Sequence, residues 1–213
     1  MSQRELAPFL GGGLAAAPAS TRALQRNMVE GVPAEPGLWV FLFGDMAIFG
    51  AFFVVFLWER RQDPSEFAHS AAHLYQPIGV VNTLVLLVSS YLVVLALEAH
   101  RRNQRERART LLNAALCFAF AFASLKAVEY SLELSAGHTP GSNRFFTFYY
   151  VLTGVHLLHV ILGAFLLFLW RRRTNRASEW ATHRGLVEAA AVYWHMVDLL
   201  WVVIFSLLYL VCA

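Results

Sequence analysis

Five stretches of the chain stay apolar long enough to cross a bilayer as helix, which takes about 20 residues. They run approximately from Gly37 to Trp58, Ile78 to Leu97, Thr110 to Leu134, Phe145 to Trp170 and Leu186 to Cys212. Each is too long for a strand, and short polar, arginine-bearing segments separate them. The pattern therefore predicts an all-α, polytopic bundle of five transmembrane helices. Ahead of them, residues 1–36 are rich in Ala, Gly and Pro and are expected to form a flexible tail, leaving 37–213 as a single transmembrane domain. The tail carries Gly11, Gly12 and Gly13 and lacks the usual pattern of a cleavable signal peptide, so none is expected. The segment from Glu59 to Pro77 is expected to lie on the membrane surface. No internal repeat is visible, which weakens a transporter built from duplicated halves.

Composition agrees with this pattern. Hydrophobic residues make up 58% of the 213 and charged ones 15%, where a soluble domain carries about a quarter charged. Mean hydropathy is +0.51. A net charge of +3 could suggest nucleic acid, but the basic residues cluster beside the membrane segments, so no nucleic-acid partner is expected. Their distribution gives an orientation. Thirteen arginines fall on one side: Arg4, Arg22 and Arg26, then Arg101, Arg102, Arg105, Arg107 and Arg109, then Arg171, Arg172, Arg173, Arg176 and Arg184. Only Arg60, Arg61 and Arg144 fall on the other. Positive charge stays inside, so the N-terminus is expected in the cytoplasm and the C-terminus outside. The two cysteines, Cys117 and Cys212, match no zinc or haem spacing and are expected to be small buried hydrophobes.

Against this apolar background, ionisable residues inside the segments are costly and call for a partner. The first segment has Asp45, the third Lys126 and Glu129, the fourth His156 and His159, and the fifth Glu188, His195 and Asp198. The second contributes only neutral groups, Asn82, Thr83, Ser89 and Ser90. Lys126 with Glu129, His156 with His159, and His195 with Asp198 are i,i+3 pairs, so each pair shares a helix face. At about 1.5 Å of rise per residue, Asp45, His156, His159, His195 and Asp198 fall near mid-membrane. Lys126 and Glu129 lie nearer the outer leaflet and Glu188 nearer the inner one. The first, fourth and fifth segments could thus meet at one buried polar cluster.

Three chemistries fit such a cluster. Imidazole and carboxylate are metal ligands, and the histidine pair looks like half of a membrane metal centre or a haem pocket. Intramembrane carboxylates also mark proton relays. The third reading is a hydrogen-bonded network that sets helix register. It is favoured because no second histidine pair or cysteine cluster completes a ligand set, so no catalytic, cofactor-binding or metal-binding residue is assigned. For Lys126 and Glu129 the favoured reading is an internal ion pair that neutralises two expensive charges. Tyr193, Trp194, Trp201, Tyr209, Trp58 and Trp170 sit near segment ends or flank the polar face, and the end positions suit an interfacial belt. Phe145, Phe146, Phe148, Tyr149 and Tyr150 open the fourth segment at its outer end. Gly154, Gly163, Ala164 and Ala189 to Ala191 permit close helix packing.

Several motifs recur in the order of a known family. They are Trp39-Val-Phe-Leu-Phe-Gly-Asp45-Met-Ala-Ile-Phe, Asn82-Thr83 with Ser89-Ser90, Lys126-Ala-Val-Glu129-Tyr130, Thr153-Gly154-Val-His156-Leu-Leu-His159-Val-Ile-Leu-Gly163, and Glu188-Ala-Ala-Ala-Val-Tyr-Trp-His195-Met-Val-Asp198-Leu-Leu-Trp201. Spread over about residues 37–210, they resemble the subunit III family of haem-copper oxidases. The family's long form has seven helices, and this chain looks like a short form without the first two. It carries Asp45 where the family usually has Glu, and its Gly-Asp-Met context and Tyr-Trp-His-Met-Val-Asp ending look like the branch associated with nitric oxide reductases. The resemblance implies an accessory subunit in aerobic electron transport, packed against catalytic subunit I and membrane lipids in a bacterial cytoplasmic membrane. It would support assembly, stability and proton uptake, with haem and copper or non-haem iron held by the partner. The alternatives are an accessory protein of a nitric oxide reductase, and a free-standing membrane enzyme binding metal or haem through its histidine pairs.

Overall fold

The computed structural model describes residues 36–174 and 184–212, and the expected tail lies outside them. Among the described residues all regular structure is helical. Helix α1 runs over Pro36–Gln62, α2 over Pro64–Ala71, α3 over Gln76–Arg101, α4 over Arg105–Ser135, α5 over Arg144–Thr174 and α6 over Arg184–Phe205. A single π-helical turn, Ser206–Leu210, continues α6. All but the short α2 are long and apolar enough to cross a membrane, so the chain is a multi-pass membrane protein.

The first four spanning helices overrun the predicted apolar segments at both ends, whereas the last stops short of Cys212, its π turn ending at Leu210. For example, α5 continues through Arg171, Arg172 and Arg173 to Thr174. Hydropathy stops at the last apolar residue, but the backbone has no reason to. Arginine is a good helix former, and its long side chain can carry its charge back to the interface.

Helices α3, α4, α5 and α6 form a closed ring, each packed against two neighbours, with α3 against α4 the most extensive contact. Inside it lie Leu86 and Val93 from α3, Leu112, Ala115, Ala119 and Phe122 from α4, Leu152, Val160 and Leu167 from α5, and Val197, Leu200 and Ile204 from α6. Helix–helix approach in lipid depends on small residues, because the hydrophobic effect gives little there. Gly163 is such a residue: a Cβ there would sit 2.8 Å from Trp194 Cε3. Gly79 is another, since its Cβ would lie 2.9 Å from Phe205 and 3.0 Å from Tyr209.

Helix α1 stands beside the ring against α5 and α6, and exposes Val40, Phe43, Ile48, Val54 and Trp58. The connector between α1 and α3 is shorter than the expected Glu59–Pro77 segment and contains α2, which buries Phe67, Ser70 and Ala71. Its start is fixed by Asp63, whose carboxylate accepts from the Glu66 N–H at 3.0 Å and the Ser65 hydroxyl at 2.8 Å. These bonds hold the Asp63 carboxyl below the usual range. Of the cysteines, Cys212 is buried, but Cys117 lies exposed on the outer face of α4. That corrects the expectation of two buried thiols. In lipid an apolar run faces outward as readily as inward.

Candidate intramembrane polar site

The structure sorts the eight sequence-predicted polar residues into separate places. Lys126 and Glu129, one turn apart on α4, are both 0% exposed, with Nζ 3.1 Å from Oε2. Two further partners close a ring around them. Tyr149 of α5 donates its hydroxyl to Glu129 Oε1 at 2.9 Å, and Tyr209 of the π turn donates to the same oxygen. Lys126 donates in turn to the hydroxyls of Tyr149 at 3.2 Å and Tyr209 at 3.4 Å. An ammonium has three donors, and all three are used. Both carboxylate oxygens are also occupied. The faces of Tyr149, Tyr130 and Trp201 lie 4.8, 5.2 and 5.3 Å from Nζ, adding cation–π attraction. Next to this ring, the Tyr130 hydroxyl meets Thr153 Oγ1 at 2.7 Å.

The local sequence explains how Tyr209 gets there. Trp201, Phe205 and Tyr209 recur every four residues, and the π turn carries the last of them onto Glu129. Phe205 and Tyr209 stack with centroids 5.2 Å apart against Gly79.

Asp45 and His159 form the second place, between α1 and α5. Nε2 of His159 is 2.9 Å from Asp45 Oδ2, an ion-pair distance, though the two are not aligned as a hydrogen bond. Nδ1 of His159 is 2.7 Å from the Val155 carbonyl, which can only accept, so Nδ1 carries a proton. Phe49 covers the ring edge-on at 5.3 Å.

His195 and Asp198 occupy the third place, beside α3. His195 Nδ1 pairs with Ser90 Oγ at 2.6 Å, while neither Asp198 oxygen has a hydrogen-bond partner. His156 shares Trp201 with the Lys126 ring but bonds to none of these groups. It is fully buried between Phe122 and Trp201, and neither ring nitrogen has a hydrogen-bond partner. Glu188 sits at the arginine-rich end of the bundle, 3.8 Å from Arg101 and partly exposed. The first, fourth and fifth segments thus do not enclose one cluster. The closed ring instead joins the third segment, the fourth and the chain's last turn.

Sequence reasoning missed Tyr149 and Tyr209, which it read by their place near segment ends. Both are buried, as are Trp170, Tyr193, Trp194 and Trp201, whereas Trp58 does lie exposed. For Tyr209 the signal was a helical repeat, 201-205-209, on the face that carries Asp198. It also missed Glu133, in the last turn of α4, and His138 just beyond that helix, joined at 2.7 Å. Among the described residues, no three His, Cys, Asp or Glu side chains converge so as to hold a metal ion.

Comparison with known proteins agrees with this architecture. A family model described as cytochrome c oxidase subunit III matches residues 23–213. The cytochrome c oxidase subunit 3 of Synechocystis sp. is 34% identical over 176 residues, 82% of this chain and 74% of that protein. That of Thermostichus vulcanus is 32% identical over 179 residues, covering 82% and 85%. A heme-copper oxidase subunit I+III of Aeropyrum pernix is 29% identical over 180 residues, 82% of this chain and 22% of that one.

Proposed function

The chain belongs to the cytochrome c oxidase subunit III family, and we infer that it acts as a non-catalytic accessory subunit of a haem-copper oxidase. The family match across nearly the whole chain carries this reading. It favours the oxidase over both the nitric oxide reductase branch and a free-standing enzyme using the histidine pairs. The Aeropyrum pernix relative, whose name joins subunits I and III, supports catalytic subunit I as the partner. That partner would hold the haem and copper. The arginine distribution supports a cytoplasmic N-terminus, and the resemblance to the family supports a bacterial inner membrane.

The residues give that role a physical form. The Lys126–Glu129–Tyr149–Tyr209 ring leaves neither charge free to react, which suits a rivet joining α4, α5 and the end of α6. The Asp45–His159 pair has unused capacity beside the loosely packed α1 and is the better candidate for contact with a partner. Through it the chain would support assembly and the supply of protons to subunit I. The test is to purify the tagged full chain from its native membranes. Co-purification of a haem-bearing subunit with oxygen consumption is expected. A haem partner that consumes nitric oxide but not oxygen would move the chain to the alternative branch, and no haem partner at all would sink the reading.

A further inference from the structure

At the end of the bundle away from the arginine-rich connections, three histidines outside the intramembrane groups stand side by side. His69 lies on α2, His73 follows four residues later, and His138 lies between α4 and α5. Ring centroids are 5.0 Å apart for His69 and His73, and 5.0 Å for His73 and His138. His69 and His73 are exposed, and the His138 side chain is 24% exposed.

His138 is built into its place by the way α4 ends. Gly137 takes a left-handed conformation, φ +88°, open to glycine at little cost. The His138 N–H then returns to the Glu133 carbonyl at 2.9 Å and the Gly137 N–H to that of Leu134 at 3.1 Å. These are the two bonds of a Schellman ending, which places the side chains of Glu133 and His138 together. His138 Nδ1 meets Glu133 Oε2 at 2.7 Å, and Glu133 is 2% exposed. Its other oxygen, Oε1, is buried without a hydrogen-bond partner. Phe146 stacks on the His138 ring at 4.4 Å and 15°. Across from it, α2 is tied to the start of α5 by Asn143 Nδ2 donating to Ser70 Oγ at 2.7 Å.

We propose that His73 and His138 form a binding site for a first-row divalent transition-metal cation, with His69 as third ligand. Imidazole nitrogen binds Zn2+ at about 2.0–2.1 Å, so two rings on one tetrahedral ion have centroids about 5 Å apart. Both histidine pairs already have that spacing. Nδ1 of His138 is engaged by a carboxylate, which leaves Nε2 as the ligand atom. A carboxylate on the far nitrogen is the usual outer partner of a metal-bound histidine, and it raises the basicity of the ring. No three donors converge among the described residues, so the preset part is the His73–His138 pair. His69, exposed, reaches the ion by side-chain rotation, and water completes the shell. The bound ion would clamp α2 to the α4–α5 turn.

The full chain, carrying a tag free of histidine and stripped with chelator, is titrated in detergent with Zn2+ alone by calorimetry. One ion per chain is expected, with His73→Gln and His138→Gln each weakening binding by about tenfold or more. Glu133→Gln is expected to weaken it by about 10–100-fold without touching the metal. Zn2+ should also raise the unfolding midpoint of the wild type and not of the His73→Gln/His138→Gln chain. His73 is exposed, so its variant folds even if Glu133→Gln does not. Absence of stoichiometric Zn2+ binding by the folded wild type, or binding that survives in the double variant, overturns the proposal.

Discussion

Glu129 and Asp45 are both carboxylates set inside membrane-spanning helices, and the fold treats them differently. Glu129 is wholly buried, accepts from Lys126, Tyr149 and Tyr209, and has its countercharge one turn away on its own helix. Asp45 is 13% exposed and faces one imidazole across a helix boundary, in a geometry that makes no aligned hydrogen bond. The first site is complete within the chain, so its worth is stability. The second is incomplete and near the surface of the bundle, so its worth depends on what packs there. In lipid this distinction separates a charge that holds a subunit together from one available to a neighbour.

The contrast predicts a graded set of outcomes for the chain's own stability, read as its unfolding midpoint in detergent. Lys126→Met strands a buried carboxylate and should cost about 3–5 kcal/mol, enough to prevent accumulation. Adding Glu129→Leu should recover most of that loss, and no recovery would show that the ring does more than neutralise charge. Tyr209→Phe removes the hydroxyl that donates to Glu129 and accepts a longer bond from Lys126, and should cost about 1.5–3 kcal/mol. Gly163→Ala forces a Cβ against the buried Trp194 and should cost about 1–3 kcal/mol without touching either carboxylate. Asp45→Ala removes only an unaligned polar contact and should cost no more than about 0.6 kcal/mol, the average for an interhelical hydrogen bond in a membrane. A loss as large as that of Lys126→Met would erase the difference between the two sites.

The smallest effect lies at Asp63. Its folded carboxyl is lowered, so its contribution is present above the ordinary aspartate range and lost as pH falls through the lowered folded value. Hydrogen exchange in the first turn of α2 should rise under that acid condition and in Asp63→Ala at neutral pH, leaving the spanning helices unchanged.

Much of the fold was legible in the sequence, because crossing a bilayer demands length and apolarity and both are read directly. The Lys126–Glu129 pairing was legible too, since an i,i+3 spacing fixes two residues on one face of one helix. What joins different helices was not. Tyr149 and Tyr209 look like interfacial aromatics by position, and only the fold brings residues 129 and 209 together. A π turn at the end of α6 has no clear signature in Ser206-Leu-Leu-Tyr-Leu. Ser90 was noted as a polar residue of the second segment, but nothing along the chain points it at His195. Glu133 and His138 were hidden for another reason, as their contact comes from a helix ending set by Gly137.

The central claim is that Asp45–His159 serves a partner while Lys126–Glu129 serves the chain. It is tested most directly by the haem that co-purifies with tagged Asp45→Ala chain from native membranes. The account predicts normal insertion and a near-normal unfolding midpoint, with reduced haem per chain or a shortened active lifetime of the oxidase. An unchanged haem ratio with unchanged turnover and lifetime would contradict it.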